Sequence, residues 1–378
     1  MRSGEHIKGG YGMGTAHLED FIRVTDTPAT NSVIPPPHRA HFLTLDAARG
    51  IAAIAVVLHH IGVENGSNIL RRGFFAVDFF LILSGFVIAL SYESKIGKGL
   101  SLGNFLKLRI ARLWPMVILG GGLAVLAYAV NIPVEYDLLK LSLQFALIPV
   151  VTGGLLFPFN PPLWSLLYEV VANIVHGACL GRLTTRQISA IFIALLAVDF
   201  AILAIHRFWA AGFTIEQAPY AIVRIFTGYI MGILIYRLYR DGRLPIIKAH
   251  FLLPLFLILI PLLIPKMVSE RIVAVVALGC IFPIAMLLGI NNPSPARWNG
   301  VMKWLGGISF PLYITHMPIM YIWRATGILN TNSGYGPIVW ALPVISAIIA
   351  ATIFERWYDL PIRMRLRQVI RNRNMIGA

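Results

Sequence analysis

Charge is scarce in this sequence, and negative charge most of all. Charged residues make up 13% of the 378, against roughly 25% in soluble domains. Segments that cross a bilayer explain that deficit better than a large soluble core, because an ionisable group at membrane depth is expensive. Only 17 Asp and Glu stand against 32 Lys and Arg, for a net charge of +15. In a soluble protein this excess would suggest nucleic acid. Here the basic residues sit mostly between apolar stretches, where they set topology, so no nucleic-acid partner is expected. Cysteine is nearly missing. Cys179 and Cys280 both fall in apolar segments, which speaks against a disulfide framework or a zinc site and for two buried small hydrophobes. No metal site is expected.

Two further features are lacking. Residues 1–40 have no apolar core of the kind a secretory signal needs. They are polar, rich in Gly, Thr and Pro, end in Pro35-Pro36-Pro37, and read as a flexible cytoplasmic tail. No internal repeat is visible, so the inverted-repeat mark of many transporters is missing.

What the chain has in quantity is apolar sequence. A membrane helix needs about 20 mostly apolar residues. Ten such segments are expected, near 45–62, 73–91, 113–131, 163–181, 187–206, 219–238, 248–265, 271–290, 305–324 and 337–357. The stretch 138–150 is too short to span comfortably and reads as re-entrant or interfacial, with an eleventh helix as the alternative. Placing the N-terminus inside puts most loop arginines and lysines on the inner side, as the positive-inside rule requires. The expected fold is therefore an all-α polytopic membrane protein with both termini cytoplasmic. It has a transmembrane domain over 41–360 and a basic cytoplasmic tail over 361–378.

Against this apolar background the polar residues are the informative ones. Arg49 and His60 are eleven positions apart. At about 100° per residue that is three turns plus about 20°, so the two share a face, about 16.5 Å apart along the axis. His59 lies about 100° away and is the weaker candidate. Arg49 is either a snorkelling anchor or a ligand for an anion. His60 is either an interhelical hydrogen-bonding group or a catalytic one. Asp78 and Gly85 share a face of the second segment. Gly85 permits close helix approach, and Asp78 serves structure or chemistry. Ser165, Glu169, Asn173 and His176 form one polar stripe, with Trp164 suited to the membrane boundary. Ser309, Tyr313 and His316 form another. Asp199 and Arg224 are further charges at membrane depth with no partner assignable from sequence. Arg109 and Arg112 are i, i+3 neighbours before the third segment, either topology anchors or a site for an anionic cytosolic ligand.

The ordered set resembles acyltransferase family 3, the membrane-bound O-acyltransferases that act on envelope or secreted glycans. The matching pieces are Arg49 and, after ten intervening residues, His60; the run Asp78-Phe79-Phe80 to Ser84-Gly85-Phe86; and Arg109-Ile110-Ala111-Arg112 leading to Pro115. They continue with Leu163-Trp164-Ser165-Leu166 with Glu169, and end with Ser309-Phe310-Pro311-Leu312-Tyr313-Ile314-Thr315-His316. Trp114 stands where Tyr is frequent, and Leu167-Tyr168 is atypical, but neither change removes an ionisable group. Many relatives carry an extracytoplasmic esterase-like domain; this chain reads as the stand-alone form.

The resemblance implies transfer of an acyl group, usually acetyl, from cytosolic acyl-CoA to a hydroxyl, in the inner (plasma) membrane, with no resident cofactor. Acceptors are typically exopolysaccharide, lipopolysaccharide, peptidoglycan or lipid-linked saccharide. Arg49, Arg109 and Arg112 are then expected to hold the phosphates of the donor. His60 is expected as general base, Glu169 or Asp78 as the group orienting its imidazole, and His316 as a partner in the proton work. The competing readings are a proton-coupled transporter or exporter of a polar substrate and a non-catalytic scaffold.

Overall fold

In hydrocarbon every backbone polar group must be satisfied within its own segment, so apolar runs of this length fold as helices. A computed structural model of the protein describes residues 42–64, 66, 70–131, 138–152, 154–205, 212–265, 267–329 and 337–376. The tail expected over 1–40 lies outside them. The long helices are α1 (Leu43–Glu64), α2 (Ala76–Gly97), α3 (Leu102–Asn131), α5 (Leu163–Ala178), α6 (Thr185–Ile205), α7 (Ala218–Arg240), α11 (Asn299–Ala325), α12 (Ala341–Phe354) and α13 (Leu360–Ile376). Shorter ones are α4 (Leu138–Phe145), α8 (Leu253–Leu263), α9 (Glu270–Val276) and α10 (Phe282–Asn291). Among the described residues there is no strand, only one isolated bridge between Leu155 and Thr214.

The chain is an all-α polytopic membrane protein. Among the described residues, eight helical stretches are long and apolar enough to cross a membrane. Two of the ten expected spans fall outside that set. The segment 248–265 yields only the 11-residue α8, with Pro261 inside it. The segment 305–324 lies in the 27-residue α11, which is long enough but carries Ser309, Thr315 and His316 on its buried face. The stretch 138–150 forms only the eight-residue α4, too short to span. Within the basic segment expected as a tail over 361–378, the described residues through Ile376 are helical: α13 continues α12 through a π-helical turn, Glu355–Asp359. Arg109 and Arg112, expected before the third span, lie inside α3. Trp164, the second residue of α5, is buried and edge-on to Tyr168, 6.0 Å between centroids. Cys179 and Cys280 are both exposed, against expectation. An outer face that meets lipid is itself apolar, so an apolar neighbourhood does not imply burial.

Two helix pairs carry the packing, α1 with α11 and α2 with α7. The second is a close backbone approach. A Cβ at Gly85 would fall on the Tyr229 carbonyl, and one at Gly232 on the Ile82 carbonyl. Each end of this seam is tied by a buried ion pair. Arg224 donates to both carboxylate oxygens of Asp78 at 2.7 Å, and Arg237 donates to Glu93 at 2.9 and 3.1 Å. The order of these contacts makes α2 and α7 parallel. Because backbone cannot yield as a side chain can, Gly85→Val is expected to cost at least ~1–3 kcal/mol. Thermal unfolding of the detergent-purified variant reads this. An unchanged melting temperature would mean that the seam is looser than described.

Candidate active site

Helix α1 presents Arg49 and His60 to the same neighbour. The Nε of Arg49 donates to the Ser309 hydroxyl at 2.8 Å and its Nη2 to the Gly306 carbonyl at 2.7 Å. The Asp46 carboxylate is 3.5 Å away. Further along, the His60 ring lies 5.0 Å from that of His316. Both partners belong to α11, so α1 and α11 run parallel, with a cationic contact near one end and an imidazole pair toward the other.

The cationic end draws on α3 and the α12–α13 junction as well. Arg109 donates to Glu169 at 3.2 Å, and the same carboxylate oxygen accepts from the Ser84 hydroxyl at 2.9 Å. The Arg112 guanidinium lies over the Phe310 ring, 5.1 Å from its centroid. Its Nη1 is 3.7 Å from Asp359, a contact too long for a hydrogen bond. Arg112 interacts electrostatically with both Arg49 and Arg109. The three arginines singled out in the sequence thus occupy one cluster. Buried donors remain unmatched in it: neither Nε of Arg109 nor Nη1 of Arg112 has a hydrogen-bond partner among the described residues.

The imidazole end has a defined proton arrangement. A carbonyl oxygen can only accept. Nδ1 of His316 is 3.1 Å from the Leu312 carbonyl, and Nδ1 of His60 is 3.0 Å from the Val56 carbonyl, so each Nδ1 carries the hydrogen. Nε2 of neutral His316 is then a lone pair, and it accepts from Nδ1 of His60 at 3.2 Å. By elimination the lone pair of His60 sits on Nε2. His59 is engaged elsewhere: its Nδ1 meets the Leu70 carbonyl at 3.0 Å. Leu70 holds φ at 44°, a left-handed conformation rare outside glycine, which marks this corner as structurally constrained.

The polar stripes join helix to helix. Ser165 and Tyr313 share a hydrogen bond at 2.7 Å, and Tyr229 donates to Asn173 at 3.2 Å. His176 lies edge-on to Tyr229, 5.9 Å between centroids. Neither carboxylate offered from sequence as the orienting group meets His60. Asp78 is consumed by Arg224, and Glu169 belongs to the arginine cluster. The neighbour that holds the His60 ring is His316. Sequence reasoning missed Asp359 and Phe310 at the cationic end. The signal for Asp359 was there: it precedes by four residues, one helical turn, Arg363 of the segment expected as a tail.

Residues 42–355 match the profile of the acyltransferase family 3 domain, described as an acyltransferase domain. The chain belongs to acyltransferase family 3. It is 35% identical over 196 residues to "Protein 2 in picA locus" of Rhizobium radiobacter, an alignment covering 44% of this chain and 98% of that relative. That relative's name records a locus and carries no chemistry. No solved structure matches. As a family 3 member the protein is a membrane-embedded acyltransferase, and the arginine cluster and imidazole pair form its candidate site.

Proposed function

We propose that this acyltransferase takes an acetyl group from cytosolic acetyl-CoA and places it on a hydroxyl of a glycan, such as exopolysaccharide, lipopolysaccharide or a lipid-linked saccharide, in the inner membrane. The observation that carries the reading is the single face of α1, which joins α11 through Arg49 at one level and through His60 about 16.5 Å further along. Arginine forks suit phosphate oxygens, so the nucleotide end of the donor sits at Arg49, Arg109 and Arg112, and the thioester arm runs inward toward His60. Nε2 of His60 takes the proton of the acceptor hydroxyl as its oxygen attacks the thioester carbonyl. A C–O bond forms, the C–S bond breaks, and the proton returns to the departing thiolate. His316 holds the ring in register and shares the charge of the transient imidazolium through the hydrogen on Nδ1. Glu169 and Ser84 fix the direction of Arg109.

Mass spectrometry of surface glycans and lipid-linked saccharides from cells with and without the protein tests this reading. An added acetyl mass that depends on the protein is expected, and identical spectra would refute it. Arg49→Ala is expected to raise KM for acetyl-CoA about tenfold to hundredfold, the worth of a lost charge-assisted hydrogen bond, with kcat much less affected. An unaltered KM in donor titrations removes Arg49 from the donor site.

A further inference from the structure

The C-terminal helix carries several arginines, and they differ in exposure. Arg365 and Arg371 are exposed, whereas Arg363 and Arg367 are partly covered. The latter two are four residues apart, on one face, and α13 packs against α3, the helix that bears Arg109 and Arg112. Nη2 of Arg363 lies 3.0 Å from Asp359 Oδ2, the same oxygen that Arg112 approaches at 3.7 Å. Asp359 is itself 1% exposed and stands at the end of the π-helical turn. Turns of this kind recur at functional sites because they shift the helical register. Here the turn brings one carboxylate under two guanidiniums from different helices.

Among the described residues the guanidiniums of Arg49, Arg109, Arg112, Arg363 and Arg367 outnumber by one the carboxylates of Asp46, Glu169, Glu355 and Asp359. Arg112 is repelled by Arg363, Arg49 and Arg109 and attracted by Asp359, and Arg367 is repelled by Arg363 and Arg109 and attracted by Asp359. Asp359 is shared, with neither of its oxygens in a geometric hydrogen bond, Glu169 is also engaged by Ser84, and the buried donors Nε of Arg109 and Nη1 of Arg112 have no hydrogen-bond acceptor among the described residues. Like charges held together with unmatched donors are unfavourable unless an anion completes the set.

Resting on the acyl-CoA reading above, we propose that α13 is part of the donor site, with Arg363 and Arg367 contacting the nucleotide phosphates of acyl-CoA. Bilayer headgroups present the same phosphate chemistry, and the two sources are separable. The test uses the full chain in membrane vesicles that contain the acceptor, with two donors: acetyl-CoA, and S-acetylpantetheine, which lacks the nucleotide phosphates. In the unaltered protein acetyl-CoA is expected to be the better donor. Arg363→Ala and Arg367→Ala are each expected to raise KM for acetyl-CoA about tenfold while leaving kcat, and KM for S-acetylpantetheine, unchanged. Arg363→Lys recovers part of the loss, and Arg365→Ala changes neither donor.

Equal losses with both donors overturn the proposal in favour of a structural role for α13. So does a KM effect that appears only after fusion with anionic lipid, which assigns the arginines to headgroups. Should the Ala variants fail to reach the membrane, Arg367→Gln and the inhibition constant of adenosine 3′,5′-bisphosphate give the same readout. That constant rises about tenfold if the proposal holds and stays level if it does not. Failure of the underlying reading is visible first and separately, as unaltered protein that consumes no acetyl-CoA.

Discussion

His60→Ala is expected to lower acyl transfer by about 10²–10⁴-fold, the usual worth of a positioned general base, at an unchanged level of protein in the membrane. Among the described residues the imidazole is bound by no ion pair, and its removal leaves one accepting nitrogen, Nε2 of His316, to be met by water. His316→Ala is expected to cost less, about tenfold, because Nδ1 of His60 keeps the Val56 carbonyl and so keeps its tautomer. The ratio of the two variants is therefore diagnostic. Acyl transfer per mole of membrane-inserted protein measures it. Near-normal activity in His60→Ala would remove the general base from the mechanism, and equal losses would make the histidines a single structural pair.

The second large effect concerns Asp78 and has nothing to do with proton transfer. Its carboxylate and the Arg224 guanidinium are almost wholly buried, at 2% and 5% side-chain exposure, and joined by two short hydrogen bonds. Removing one partner strands the other charge inside the protein, which costs about 3–5 kcal/mol. Asp78→Ala and Arg224→Ala are each expected to drop thermal stability sharply and to lower the amount of folded protein. The double change Asp78→Leu with Arg224→Met is expected to recover most of that stability, since an apolar pair of similar volume replaces a buried ion pair at little cost. Differential scanning of the four proteins in one detergent distinguishes the outcomes. A double variant as unstable as either single one would show that Asp78 has a role the ion pair does not explain.

The helical periodicity carried the fold and part of the site. The face shared by Arg49 and His60 follows from 3.6 residues per turn, and both residues indeed engage α11. The polar stripes on α5 and α11 were visible for the same reason. Partner choice across helices was not, because spacing says which residues share a face and nothing about what that face meets. Asp78 therefore looked available for catalysis, when Arg224, distant in sequence, already held it. His316, a helper at unknown distance by sequence, proves to be the side chain that hydrogen-bonds the His60 ring. The C-terminal segment reads as a tail because it is basic and follows the last apolar run, while the four-residue spacing of Asp359, Arg363 and Arg367 encodes a face packed on α3. The two exposed cysteines show the limit of hydropathy, which cannot separate a protein-facing position from a lipid-facing one.

Inverted membrane vesicles with the cytoplasmic face outward, supplied with isotopically labelled acetyl-CoA, give the most direct test of donor binding at the arginines and transfer at His60. Label is expected in the saccharide fraction with the unaltered protein, at greatly reduced yield with Arg49→Ala at low donor concentration, and at background with His60→Ala. Equal labelling with His60→Ala, or no labelling from acetyl-CoA by a protein that still modifies saccharides in cells, would contradict it.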